Sequence, residues 1–353
     1  MQIPKTLSDF FEQSQTRYRV FDLGRGIRKL DSDTFRQFEN SELPYPYPLQ
    51  QHAWLGILGW NQEAQKETGA EQFIWFLKFP LDETGKLVPT ARDSFLHGLL
   101  ETLGSNIQAA REGGEFTDAM GESPFGFKPK ESMMAGFHAK ALKALSQPAS
   151  RFYEHARDYL DGKPGYDQWA FVGLQGFADV AARLDENGNT ALTLTALPQL
   201  PAPALIALCG FLENESLSTA LTETMLNRLQ GELGAEEADL NVITALLRAF
   251  ALSGKGLATQ AVSAALDSKL GTDIHLLAAI AARNWELLKD EGLAQRFIEA
   301  LAQNGLGHDA FTQVMGDLLA IPGMRPVLLG QLRSPERSEA LSAAVGHMFG
   351  QNF

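Results

Sequence analysis

The chain has 353 residues, of which 44% are apolar, with a net charge of −13 and one cysteine. That length and apolar content predict two packed domains and exclude wholesale disorder. The lone Cys209 excludes an internal disulfide or a zinc knuckle, and the acidic balance argues against a phosphate-contacting footprint.

Both halves are acidic. Residues 1–130 hold 14 Lys and Arg against 18 Asp and Glu, and the remainder holds 16 against 25. Neither half suits general binding to DNA or to an anionic membrane. The N-terminus "MQIPKTLSDFFEQSQTRYR" shows no apolar signal core. The longest apolar run, 204–212, is less than half of the roughly 20 residues a bilayer span needs. A reducing, cytoplasmic setting with no membrane partner is the expectation.

The first part of the chain reads as a small α+β domain over 1–110. "LSDFFEQSQ" predicts a short helix. "RYRVFDLGRGIRKLD" alternates, with Tyr18, Val20 and Asp22 on one side and Arg19, Phe21 and Leu23 on the other. Gly24 and Gly26 mark a bulge or turn, and "DSDTFRQFEN" is a short helical stretch. The apolar, aromatic runs "QHAWLGILGW" and "EQFIWFLKFPL" predict strands, joined through the turn "DETG" to a helix opened by Thr90 and Asp93. The expected product is a small antiparallel sheet with helices on one side.

Two groups of residues here invite a functional reading. Asp22, Arg25 and Arg28 are polar in an apolar neighbourhood, and Lys78 interrupts a buried-looking strand. An Asp22–Arg25 or Asp22–Lys78 ion pair is the plain reading; a polar ligand pocket, extended by His52, is the sharper one. The strap "LPYPYPLQQ" holds Tyr45 and Tyr47 in a proline-stiffened stretch. It either covers the core or docks a partner. Trp54 and Trp60, an even number apart, share a face and suggest core. "DLGRG" is a weak phosphate-loop candidate.

A Gly-rich, polar linker is expected over 111–130, with "SPFGFKPK" inside it able to pack onto a domain. Beyond it, Asp167, Pro203, Asp239, Asp273 and Asp309 recur every 34 to 36 residues, each before an apolar run. Leu276, Leu277, Ile280 and Asn284 share one helical side, as do Val242, Ala245, Leu246 and Ala249. Gly234, Gly271 and Gly307 stand at the ends of second segments, where a left-handed glycine closes a helix. The aspartates read as helix caps in preference to a metal ladder. A two-helix period of this length predicts an α-solenoid over 131–353, closed by a helix with Ser334 as N-cap and Pro335 in its first turn.

The repeat pairs resemble HEAT-type repeats in general form, without the internal proline and arginine pattern of that class. "YRVFDLGRGIRKL", "YPYPLQQHAWLGILGW", "WFLKFPLDETGKLVPTARDSFL" and "SPFGFKPKESMMAGFHAKAL" resemble, in the same order, the blocks of a bacterial family classed as a domain of unknown function. With the repeats, the resemblance covers nearly the whole chain. It implies a cytoplasmic bacterial protein and carries no activity and no site residues.

No nucleophile-elbow, phosphate-loop, dinucleotide or zinc-protease motif occurs, and the seven histidines show no metal spacing. No cofactor is expected. The leading expectation is a non-enzymatic interaction or adaptor protein that holds a protein partner, basic in character, on the helical-repeat surface. The alternative is an enzyme with a polar site in the N-terminal domain or at the domain junction, using Asp22, Arg25, Lys78 or His52. Nucleic-acid binding would need a basic concave face, which the acidic repeat half disfavours. Oligomeric state does not follow from these residues.

Overall fold

The computed structural model describes residues 4–61, 72–112 and 123–350. The chain divides into two compact units: the first takes the residues up to Lys130 together with Ala320–Pro322, and the second takes the rest from Glu131 on.

In the first unit, Thr6 caps α1 (Leu7–Gln13) by accepting the Asp9 N–H, and β1 (Thr16–Asp22) follows. A tight loop leads to β2 (Arg28–Lys29), then Asp31 caps α2 (Ser32–Glu39). The proline strap precedes β3 (His52–Asn61) and β4 (Gln72–Pro80), and α3 (Pro89–Glu112) closes the unit. The four strands form one antiparallel sheet in the order β2-β1-β3-β4, with Asp22 opposite Leu55 and Leu55 opposite Leu77. Side-chain alternation puts Val20, Leu55, Ile57, Leu77 and Phe79 on one face, where Phe11, Phe35, Phe38, Phe95 and Leu99 of the three helices complete the core.

Several expectations change at the level of local chemistry. Helix α3 begins at Pro89, so Thr90 lies inside the first turn, and Asp93 is taken by Arg92 Nε at 2.8 Å instead of closing a capping box. Trp54 and Trp60 do share a face, but it is the face opposite the helices. Of the expected linker, 113–122 lies outside the described residues. The part after it packs on the sheet: Lys78 N–H donates to the Phe125 carbonyl at 2.7 Å and Phe127 N–H to the Phe76 carbonyl at 3.1 Å. The outer edge of β4 is thereby paired at Phe76–Lys78, which shortens the open edge. Phe125 enters the core against Phe79 and Phe95, and Phe127 meets Trp54 edge-on at 4.9 Å.

The second unit is all helical. Its helices are α4 (Glu131–Ala144), α5 (Tyr153–Leu160), α6 (Leu174–Ala182), α7 (Asn189–Ala196), α8 (Ala202–Leu212), α9 (Thr219–Gly234), α10 (Leu240–Ala249), α11 (Lys255–Leu266), α12 (Ile274–Arg283), α13 (Glu291–Ala302), α14 (His308–Leu319), α15 (Arg325–Leu332) and α16 (Glu339–Gly350). They stack in two layers. Each of α4, α6, α8, α10, α12, α14 and α16 packs on the next, and so does each of α5, α7, α9, α11, α13 and α15. Val242, Ala245, Leu246 and Ala249 are all buried, as are Leu276, Leu277, Ile280 and Asn284.

Capping follows the repeat only in part. Asp239 caps α10 by accepting the Asn241 and Val242 N–H groups, and Asp273 caps α12 through the His275 N–H. Pro203 lies in the first turn of α8. Asp167 instead lies in a 3-10 segment, Tyr166–Phe171, which Gly173 separates from α6. Asp309 is inside the first turn of α14 and accepts His347 Nε2 at 2.9 Å. The closing helix starts at Glu339, with Ser338 Oγ accepting the Leu341 N–H at 3.1 Å, so the cap is Ser338 and not Ser334. Among the three glycines, Gly307 has the left-handed backbone, at φ +84°.

Candidate functional site

Asp22 ends β1 with its side chain on the core side of the sheet and is fully buried. Its carboxylate collects three donors. Tyr45 Oη donates to Oδ1 at 2.7 Å, the Gly24 N–H to Oδ1 at 3.1 Å and the Arg25 N–H to Oδ2 at 3.0 Å. The two amides of "DLGRG" that could cradle an anion are therefore turned onto the chain's own carboxylate, and the segment that follows is β2, not a helix. Arg25 is also fully buried, with Nε donating to the Pro48 carbonyl at 2.8 Å.

Burial pushes the Asp22 carboxyl up to about 6; the Tyr45 hydroxyl, the Arg25 and Gly24 amides and the nearby Arg28 charge hold it below what burial alone would set. Burial beside this carboxylate pushes the Tyr45 phenol well above its usual value.

The strap question resolves at this point. Tyr45 is completely buried and its N–H donates to the Gly85 carbonyl at 2.8 Å, which ties the strap to the turn after β4. Tyr47 is half-buried, edge-on to Tyr45, with the Arg28 guanidinium 5.4 Å over its ring. Gln50 and Gln51 both take left-handed backbone, at φ +51° and +57°, and the Leu49 and His52 amides exchange hydrogen bonds at 3.1 Å. This is a type I′ turn that reverses the strap into β3.

The remaining candidates lie apart from Asp22. His52 occupies the mouth of that turn, its Nδ1 2.6 Å from the Gln50 carbonyl oxygen. Lys78 projects from the opposite sheet face, its ammonium 4.3 Å over the ring of its cross-strand partner Trp54. The structure thus brings Asp22, Arg25 and Tyr45 together inside the core, places Tyr47 at their margin, and disperses His52 and Lys78.

A second buried carboxyl escaped the sequence reading. Glu39, at the end of α2, accepts the Ser8 N–H of α1 at 3.3 Å, and burial pushes it up to about 7 against the hydrogen bonds from Ser8 and Leu7. It stands between Phe38 and Asn40, and nothing in that context marks a carboxylate that folds inward. Cys209 is buried in α8, where burial pushes its thiol up to about 12 and leaves no thiolate nucleophile.

In the helical unit the polar side chains stitch one repeat to the next. Glu213, Arg248 and Arg283, spaced 35 residues apart, converge at the C-terminal ends of α8, α10 and α12. Arg248 Nε lies 2.7 Å from Glu213 Oε2, and Arg283 Nη2 lies 2.8 Å from Oε1. Burial would raise the Glu213 carboxyl, but the Arg283 and Arg248 charges override it and hold it below its usual range. The equal spacing was the signal that could have found this cluster. In the other layer, Arg228 donates to the Pro198 carbonyl, Lys269 to the Ala235 carbonyl and Arg296 to Ser263 Oγ, each reaching back one repeat. Among the described residues, no group of three or more His, Cys, Asp or Glu side chains is placed to hold a metal ion. No helix among them is long and apolar enough to cross a membrane.

The fold defines a class: an α+β unit built on one antiparallel sheet, joined to a two-layered stack of helices. The chain belongs to the family described as protein of unknown function (DUF3549), whose family model matches residues 2–349. No curated protein and no solved structure matches it.

Proposed function

We propose that this is a non-enzymatic interaction or adaptor protein that binds a protein partner on the surface of its helical repeats, in the bacterial cytoplasm. The observation that carries the reading is the two-layered stack of helices α4 to α16. A HEAT-like α-solenoid of this kind offers a long surface built from side chains of successive repeats, a shape suited to an extended protein segment. The acidic balance of this half favours a basic partner.

The enzyme reading draws less support from the same residues. Asp22 takes the Tyr45 hydroxyl and the Gly24 and Arg25 amides inside the core, Arg25 Nε donates to the Pro48 carbonyl, and His52 and Lys78 do not join them. A catalytic group has to reach a substrate, and the Asp22 and Tyr45 side chains are fully buried.

Affinity purification of the full chain from its native cell, read by mass spectrometry across a salt series, tests the reading. The expected result is one stoichiometric partner whose release rises with salt. Recovery of no partner at any salt concentration would overturn it.

A further inference from the structure

A cavity of about 410 Å³ opens in the first unit between the segment that leads into α1 and one side of α3. Small-molecule sites occupy roughly 300–1,000 Å³. Arg92, Leu96 and Leu100 follow one another at four-residue spacing, so they line the cavity as a single helical stripe about 12 Å long. Pro4 and Lys5 supply the other side. That segment is held in place, because the Lys5 N–H donates to Asp9 Oδ2 at 3.1 Å and Thr6 caps α1. Leu96 is buried, and Pro4 and Leu100 are half-buried. The stripe therefore offers a cation at one end and an apolar bed along the rest.

Charge decides the kind of ligand. The Arg92 guanidinium is 17% exposed. Its Nη1 donates to the Glu39 carbonyl at 2.8 Å, and its Nε and Nη2 donate to Asp93 Oδ1 at 2.8 and 2.7 Å. These bonds fix the group and neutralise Asp93, which also lines the cavity, and they leave one N–H on each of Nη1 and Nη2. His97 at the rim is drawn to Glu101 at 3.3 Å. The Lys5 ammonium has no hydrogen bond or ion pair among the described residues. The cavity wall thus keeps one unpaired positive charge, in a chain whose net charge is −13. That charge repels a cationic ligand and suits a single negative one, and the two spare guanidinium N–H groups suit the two oxygens of a carboxylate.

We propose that this cavity binds a small amphipathic monoanion, with a carboxylate held by Arg92 and Lys5 and an apolar body lying on Leu96 and Leu100. The site adds a small-molecule ligand to the interaction reading above and does not depend on it.

The test is isothermal titration calorimetry on the full chain with sodium octanoate as probe and octylamine, octanol and acetate as controls. Octanoate is expected to saturate a single site and to weaken with salt. Octanol, octylamine and acetate should each bind about tenfold more weakly or worse. Lys5→Gln changes an exposed side chain, and unchanged circular dichroism and melting verify its fold. It should lower octanoate affinity about fivefold, and Leu100→Gln about tenfold. Absence of saturable octanoate binding, equal affinity for octylamine, octanol or acetate, or unchanged affinity in Lys5→Gln overturns the proposal. Should Leu100→Gln not fold, the comparison of octanoate with acetate reports on the apolar bed in its place.

Discussion

Glu213 and Arg283 meet at 2.8 Å although 70 residues separate them in the chain, and Arg248, midway between, closes on the same carboxylate. One acidic side chain of α8 thereby ties together three successive helices of one layer. Glu213→Ala removes the carboxylate that the Arg248 and Arg283 guanidinium groups share. Glu213 is buried and Arg283 nearly so, while Arg248 is partly in solvent, which moderates the cost. We expect a loss of about 3 kcal/mol, seen as a lower midpoint in denaturant melts followed by circular dichroism. An unchanged midpoint would show that the pair is energetically neutral.

The buried carboxyls of the first unit should make it more stable in mild acid. Asp22 titrates near 6 and Glu39 near 7 in the folded chain, against 3.8 and 4.5 for the free groups. Between about pH 4 and 7 the folded unit therefore binds more protons than the unfolded chain, and its stability falls as pH rises through that window. Each carboxyl accounts for about 3 kcal/mol of the change. Glu213 is depressed, so its contribution is present above about 4.5 and disappears as pH falls below that. Glu215 in the same unit is raised by burial, so it acts in the same sense as Asp22 and Glu39 and opposes Glu213. Thermal melts followed by tryptophan fluorescence should show a transition that shifts upward from pH 8 to pH 5, and Glu213→Gln should remove the part of the acid sensitivity that appears below about pH 4.5.

Tyr45→Phe keeps the buried ring and deletes the hydroxyl that donates to Asp22. The carboxylate, fully buried, loses one of its three described donors. A destabilisation of roughly 1–3 kcal/mol at pH 7 is expected. The penalty should shrink at pH 5, where a protonated Asp22 needs that donor less. A pH-independent penalty would assign the loss to packing of the ring alone.

Gly59 sits opposite Phe73 in the β3–β4 pair, and a Cβ there would come within 2.1 Å of the Phe73 ring. That ring stacks on Trp75 at 4.5 Å. Gly59→Val should therefore displace both rings and cost about 2 kcal/mol or more, read as a lower unfolding midpoint with altered tryptophan emission. Tolerance of valine would mean that Phe73 has another site to occupy.

Much of this architecture was legible because it is written in local patterns. Alternation predicted β1, apolar and aromatic composition predicted β3 and β4, and the three- and four-residue spacing predicted the buried faces of α10 and α12. Asp239 and Asp273 cap as expected because a cap needs only a short side chain and the next turn's amides. The same reasoning failed at Asp309 and Asp167. Asp309 finds a partner in His347 from a helix 38 residues away, and the aromatic insertion around Asp167 interrupts the helix that the apolar run suggested. Trp54 and Trp60 were correctly placed on one face, but spacing alone does not say which face meets the helices.

The sequence by itself determined the two-part architecture, the antiparallel strands and the helical period, since each depends on residues a few positions apart. Only the tertiary structure decided where the polar groups go. Tyr45 reaches Asp22 across 23 residues, Glu39 turns inward onto α1, and Glu213 gathers arginines from two later repeats. These placements depend on which surfaces lose water when distant segments pack, and desolvation belongs to the assembled core and not to any window of the chain.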